Sequence, residues 1–196
     1  MFHSRFNRVL AVVTWLLCLS GVVAVIVAGR QDALRYLPLI ALVAWLTWAG
    51  LWHPALRLND EAITVVNTFA TTVVPWAALI NVDTKYALTL LTPHRRVVVT
   101  VAPAPGRIAT ALSNRDVKGI SAPRGADGSM RPGDLPNSDS GAAAHLVRQR
   151  WESLLASGRI DVGTADEVRV DRRIHWPTIL VGSALGIATV AAVALN

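Results

Sequence analysis

The sequence predicts a membrane α-plus-β protein: three transmembrane helices carrying a small antiparallel β-barrel or sandwich, with an amphipathic helix between the second and third spans. Three observations predict it. Uncharged apolar stretches run from Val9 to Ala28, Leu37 to Trp52 and Trp176 to Leu195. Residues 54–103 form short runs rich in Val, Ile, Thr and aromatics. Residues 141–157 repeat apolar side chains at helical spacing.

A helix rises about 1.5 Å per residue, so roughly 20 residues cross the hydrocarbon core of a bilayer. The spans at 9–28 and 176–195 meet that length. The second apolar run is shorter, and Tyr36 and His53 extend it into the interface, giving 36–53. A soluble chain of 196 residues that buried all three in one core would keep little surface to hold it in solution. Arg5 and Arg8 precede the first run, as in a secretory signal. The run is longer than a signal core of about 7 to 15 residues, and a second one follows closely, so an uncleaved anchor is the reading. Cys18 is the only cysteine, so neither an internal disulfide nor a cysteine metal site is available.

The charge is +6 overall, and its placement matters more than its size. The polar middle is nearly balanced, with 15 basic and 12 acidic residues between 53 and 175. Nucleic-acid binders concentrate a basic face, so a nucleic-acid partner is not expected. Arg5, Arg8, Arg57, Arg159, Arg169, Arg172 and Arg173 flank the spans on one side, against Arg30 and Arg35 on the other. That excess places the N-terminus and the middle segment in the cytoplasm and the C-terminus outside. Trp52 and Trp176 fall at the same interface, and Pro177 suits the first turn of a helix. None of the three apolar runs holds an Asp, Glu, Lys, Arg or His, so a transport pathway is not expected.

Between 54 and 103, runs such as Ala62 to Asn67, Thr71 to Val74, Tyr86 to Leu91 and Arg96 to Val101 are separated by Asn, Asp and Pro. About five strands in an antiparallel meander are expected. Several runs are so continuously apolar that they should curl over a shared core with no wet face. Residues 104–140 change to Pro, Gly, Ser and scattered charge, a composition that reads as a flexible linker. Ser138, Asp139 and Ser140 offer N-caps for the following helix, and Gly158 offers a stop. Ala143, Val147, Trp151, Leu154 and Leu155 share one face of it, which is expected to cover the strand domain.

Two spans followed by a strand meander with Val73-Val74-Pro75-Trp76, Leu79-Ile80 and Val82, after Arg57-Leu58, Asp60-Glu61 and Ile63, resemble a known family. They resemble the bacterial pleckstrin-homology-like (PH-like) domains of actinobacterial membrane proteins, in the group that includes the low-molecular-weight protein antigen. Pro103 to Arg107, Arg131 to Pro136 and Arg148 to Trp151 look like a subgroup that keeps a third span. The resemblance implies a curved antiparallel sheet capped by a C-terminal helix, with no enzymatic activity and no established ligand. A full PH fold has seven strands, two more than the strand signals here.

The residues agree in offering no catalytic machinery. His3, His53, His94, His145 and His175 show no metal-ligand spacing, so neither a metal nor a cofactor is expected. No nucleophile elbow, phosphate loop or dinucleotide fingerprint is present in the sequence. Lys85, Arg95 and Arg96 are expected near the ends of neighbouring strands, where PH domains often bind acidic headgroups. The plainer reading makes Arg95-Arg96 a solvated hairpin tip that discourages edge pairing. Trp76, Ile80 and Trp151 are expected in the core. Gly182 and Gly186 form a small-residue ridge, seating the third span on the first or joining two copies as a homo-oligomer. The expected partners are membrane lipids and an unidentified membrane or cytoplasmic protein that uses the domain as a scaffold or regulator.

Overall fold

A computed structural model describes residues 2–29, 31–103, 139–160, 163 and 165–194. The chain divides into two compact units. One is built from Met1–Ser4, Ala55–Asn67 and Thr71–Arg173, the other from Arg5–Pro54, Thr68–Ala70 and Ile174–Asn196.

In the first unit, short runs punctuated by Asn, Pro and Asp become β1 (Ala55–Leu58), β2 (Ala62–Val66), β3 (Ala70–Pro75), β4 (Asn81–Asp83), β5 (Ala87–Leu91) and β6 (Arg96–Pro103). A helix, α3 (Asp139–Ala156), precedes β7 (Asp171–Ile174). The strands form two sheets, ordered β1-β2-β3-β7 and β4-β5-β6. The pairs β1–β2, β2–β3, β4–β5 and β5–β6 are antiparallel, with Leu56 opposite Val65, Ile63 opposite Val74 and Leu90 opposite Val97. These facing residues are fully or nearly fully buried, and with Trp76, Leu79, Leu88, Val99 and Val101 they make the core.

The described residues thus hold seven strands rather than about five. β7 gave no sequence signal because Asp171, Arg172, Arg173 and Ile174 are all exposed; it pairs at the end of a sheet without contributing to the core. The expectation of strands without a wet face is corrected as well. Val97, Val99 and Val101 turn inward, while Val98 is 47% exposed and Thr100 is exposed. A run of valines hides the period-two alternation, but the pleat imposes it all the same.

Helix α3 begins at Asp139, two residues before the expected start, and lays Ala143, Ala144, Val147 and Leu154 on the core. Gly158 ends it at φ +66°, with the Gly158 N–H on the Leu155 carbonyl (3.1 Å) and the Arg159 N–H on the Leu154 carbonyl (3.1 Å). This is a Schellman close, which needs a left-handed residue. Gly158→Ala should cost about 1 kcal/mol and lower the denaturant midpoint of the domain accordingly. Of the linker expected over 104–140, residues 104–138 lie outside the described residues, and the last two begin α3.

One side chain ties the two sheets together. Asn67, just past β2, donates from Nδ2 to the Val98 carbonyl (2.7 Å). Its Oδ1 accepts from the Thr100 N–H (3.0 Å) and the Thr100 hydroxyl (2.8 Å). The amide thereby stands in for a strand partner along β6. Asn67→Ala removes all three bonds at an exposed site, so a loss of about 1 kcal/mol is expected, with faster hydrogen exchange at Thr100.

The second unit contains α1 (Arg5–Ala28), α2 (Leu37–Thr47) and α4 (Trp176–Ala194). A 3-10 stretch, Gln31–Tyr36, leads into α2. A wide turn, Trp48–Trp52, extends α2, with the His53 N–H on the Trp48 carbonyl at 2.8 Å. All three helical segments are long and apolar enough to cross a membrane: Arg5–Ala28, Ala33–Trp52 and Trp176–Ala194. Their large apolar side chains face outward; Leu17 is 66% exposed and Ile187 71%. Thr14, Ser20, Thr47 and Thr189 return their hydroxyls to carbonyls of their own helices, as suits an apolar solvent.

The helices seat against one another through small residues and indoles. Trp15 donates from Nε1 to the Ala44 carbonyl (3.1 Å), joining α1 to α2, and its ring lies 5.2 Å from that of Trp52. The Arg8 guanidinium covers the Trp52 ring at 5.2 Å. Gly182 of α4 faces the Trp45 ring of α2, so the glycine meets the second span rather than the first. Gly186 has nothing within 4 Å of where a Cβ would stand, so it takes no part in that close approach.

An apolar groove on the strand domain

Pro75 ends β3, and Trp76–Ala78 then make a single 3-10 turn. The Trp76 side chain is 1% exposed and donates from Nε1 to the Asn59 carbonyl (2.9 Å). Asn59 is held for this by its own turn: its N–H bonds the Ala62 carbonyl (3.2 Å), and its Oδ1 accepts the Ala62 N–H (2.7 Å). A buried indole needs such a partner for its N–H.

Leu79 and Val82 turn into the core after this turn, at 3% and 5% exposure. Ile80 does not. It is 52% exposed, which corrects its expected place in the core. Its N–H is fixed to the Leu91 carbonyl (2.8 Å), so the chain continues into β4 with the side chain turned outward. Trp151, on α3, is half-buried against the core.

Trp76, Ile80 and Trp151 line one groove of about 320 Å³, together with Pro93, Leu155 and Ile160. Asp166 stands at its margin, and its carbonyl bonds His94 Nε2 at 3.1 Å. His94 is therefore tied to the segment after α3, although it is exposed as a turn residue should be. The turn carrying it is closed by paired bonds between Thr92 and Arg95. Trp76, Ile80 and Trp151 are the three of these residues that the sequence singles out, as interior side chains. Pro93, Leu155, Ile160 and Asp166 became part of a site only when α3 folded onto the β4 region.

A second, more polar groove of about 430 Å³ lies between the β1–β2 turn and α3, lined by Leu58, Asn59, Asp60, Leu146, Gln149 and Arg150. Asp60 pairs there with Arg150, and Arg159 stands 3.7 Å from the same carboxylate. These charges are largely exposed, so water screens them and their pairing adds little stability.

The three cations expected to gather do not. Lys85 belongs to the β4–β5 turn, with its Nζ 5.2 Å from the Tyr86 ring. Arg95 and Arg96 lie at the β5–β6 turn. Successive turns of an antiparallel meander fall at opposite ends of the shared strand, here the five-residue β5. All three side chains are exposed. Among the described residues, no three His, Cys, Asp or Glu side chains converge as a metal site would require.

Two sheets whose meander strands pair antiparallel, closed by a helix after the last meander strand, agree with a comparison against protein families. The model described as "Bacterial PH domain" matches residues 53–175. A comparison with curated proteins and another with solved structures each found no match. The match spans more than half of the chain, from the end of the second apolar helix to the start of the third: this protein belongs to the bacterial PH domain family.

Proposed function

We propose that this is a non-enzymatic multi-pass membrane protein whose PH-like domain, on the cytoplasmic face, docks a protein partner as a scaffold or regulator. The groove between the Trp76 turn and α3 carries the reading. Ile80 is left 52% exposed, and it shares a recess with Trp151, Leu155 and Pro93 rather than standing alone on a strand face. An aromatic-walled apolar recess with a polar margin suits an apolar anchor from a protein partner. Three lipid-length helices support placement in the membrane, and the arginine asymmetry supports the cytoplasmic side.

Anionic-headgroup binding through Lys85, Arg95 and Arg96 is the rival, and the meander argues against it. A strand rises about 3.4 Å per residue, so β5 sets the two turns roughly 17 Å apart, well beyond a Debye length of about 8 Å. Single cations at separate sites contribute only about 1 kcal/mol each at a charged membrane surface.

A photo-crosslinking residue at Ile80, in cells making the full chain, tests the proposal. A discrete protein adduct is expected there, and none from the same probe at Val98, which faces outward on β6. Adducts to lipid alone at position 80, or identical patterns from both positions, would contradict protein docking at the groove.

A further inference from the structure

The turn between β2 and β3 carries Phe69 with half of its surface exposed, although it lies outside the β-domain core. Thr68–Ala70 group with the helices rather than with the strands on either side. The reason is a pair of contacts at the start of α4. The His175 N–H donates to the Phe69 carbonyl (2.9 Å), and His175 Nδ1 approaches the Thr68 carbonyl at 3.4 Å. His175 immediately precedes Trp176, which is 63% exposed, and its ring meets that of His53 edge-on at 5.4 Å. His53 in turn follows Trp48 and Trp52 at the end of α2. The turn is therefore pinned level with the ends of two apolar helices, among exposed aromatics.

We propose that Phe69 is an interfacial anchor: the tip of the β2–β3 hairpin inserts its ring at the boundary between headgroups and acyl chains, continuing the aromatic belt of Trp52 and Trp176. The occupant of this surface is lipid. A bare phenyl group has no polar edge to offer a headgroup, whereas the acyl boundary rewards its burial, and the backbone bonds to His175 hold it at that depth. The hairpin so becomes a further attachment of the domain to the bilayer besides its covalent links to α2 and α4. The inference rests on the helices lying in a membrane.

The test uses the full chain with Cys18→Ser, spin-labelled at a single introduced cysteine and reconstituted in phosphatidylcholine–phosphatidylglycerol vesicles. Collision with oxygen, enriched in lipid, is compared with collision with a water-soluble nickel chelate. A label at Ile187→Cys on α4 should favour oxygen strongly, and one at Tyr86→Cys, in the β4–β5 turn, should favour the chelate. A label at Thr68→Cys, with Phe69 intact, should fall between them and on the lipid side. Adding Phe69→Ser should shift that label several-fold toward the chelate while leaving position 187 unchanged. If position 68 matches position 86 while 187 reads lipid, or if Phe69→Ser moves nothing, the anchor is refuted and the membrane reading stands. If 187 also reads water, both fall together.

Discussion

Replacing Gly182 by valine is expected to open the seam between α2 and α4 and to cost about 2 kcal/mol, within the usual range for overpacking. A Cβ on Gly182 would stand 2.7 Å from Trp45 Cζ3 and 3.0 Å from Cζ2, and closer still to Cη2. Real side chains do not tolerate such distances, so the indole would have to leave the seam and give up its contacts. Between helices in lipid those contacts are the main attraction, since water is absent and apolar burial drives nothing. The matching change at Gly186 should be nearly silent, because no atom lies within 4 Å of its Cβ position. Trp45→Ala makes room, so the double variant should recover part of the loss, with a coupling of about 1 kcal/mol. Detergent-denaturation midpoints of the parent chain and the four variants measure this. Equal effects at 182 and 186, or no rescue, would mean that the third helix does not seat on Trp45.

Trp76→Ala should be the most damaging single change in the strand domain, at about 3 to 5 kcal/mol, a large part of the stability of any small domain. The side chain is 1% exposed, and it is the largest fully buried side chain described. Trp76→Phe separates packing from hydrogen bonding. It fills most of the space but leaves the Asn59 carbonyl without its donor, for an expected loss of about 1 kcal/mol beyond that of the missing volume. Hydrogen exchange of the β2 and β3 amides in the membrane-reconstituted protein reads both. Unchanged exchange in Trp76→Ala would show that the indole is peripheral.

Much of this fold could be read from residues alone, for physical reasons that are specific. Pro75 and Trp76 stand where β3 must stop, and Asn59 and Asp60 stand where β1 must turn, so the strand breaks were visible. The stripe on α3 was visible because helical spacing survives even where flanking residues are ambiguous. Ile80 was misplaced because Ala77, Ala78, Leu79, Ile80 and Val82 give no alternation from which to judge parity. β7 was missed because a charged strand paired at the end of a sheet needs only backbone hydrogen bonds. The separation of Lys85 from Arg95 and Arg96, by contrast, was implicit in the meander itself, since its turns alternate ends. The ridge of Gly182 announced a close approach, but nothing in one helix says which neighbour carries the facing indole. Asn67 leaves no trace in sequence; its role exists only once β6 lies beside it.

The proposed docking at the cytoplasmic membrane face and the Phe69 anchor both require α1, α2 and α4 to be solvated by lipid. Alkaline carbonate washing of membranes from cells producing the full chain is the most direct test. The intact chain is predicted to stay entirely with the membrane pellet, as helices with Leu17 and Ile187 turned outward demand. Its release into the carbonate supernatant would contradict the account.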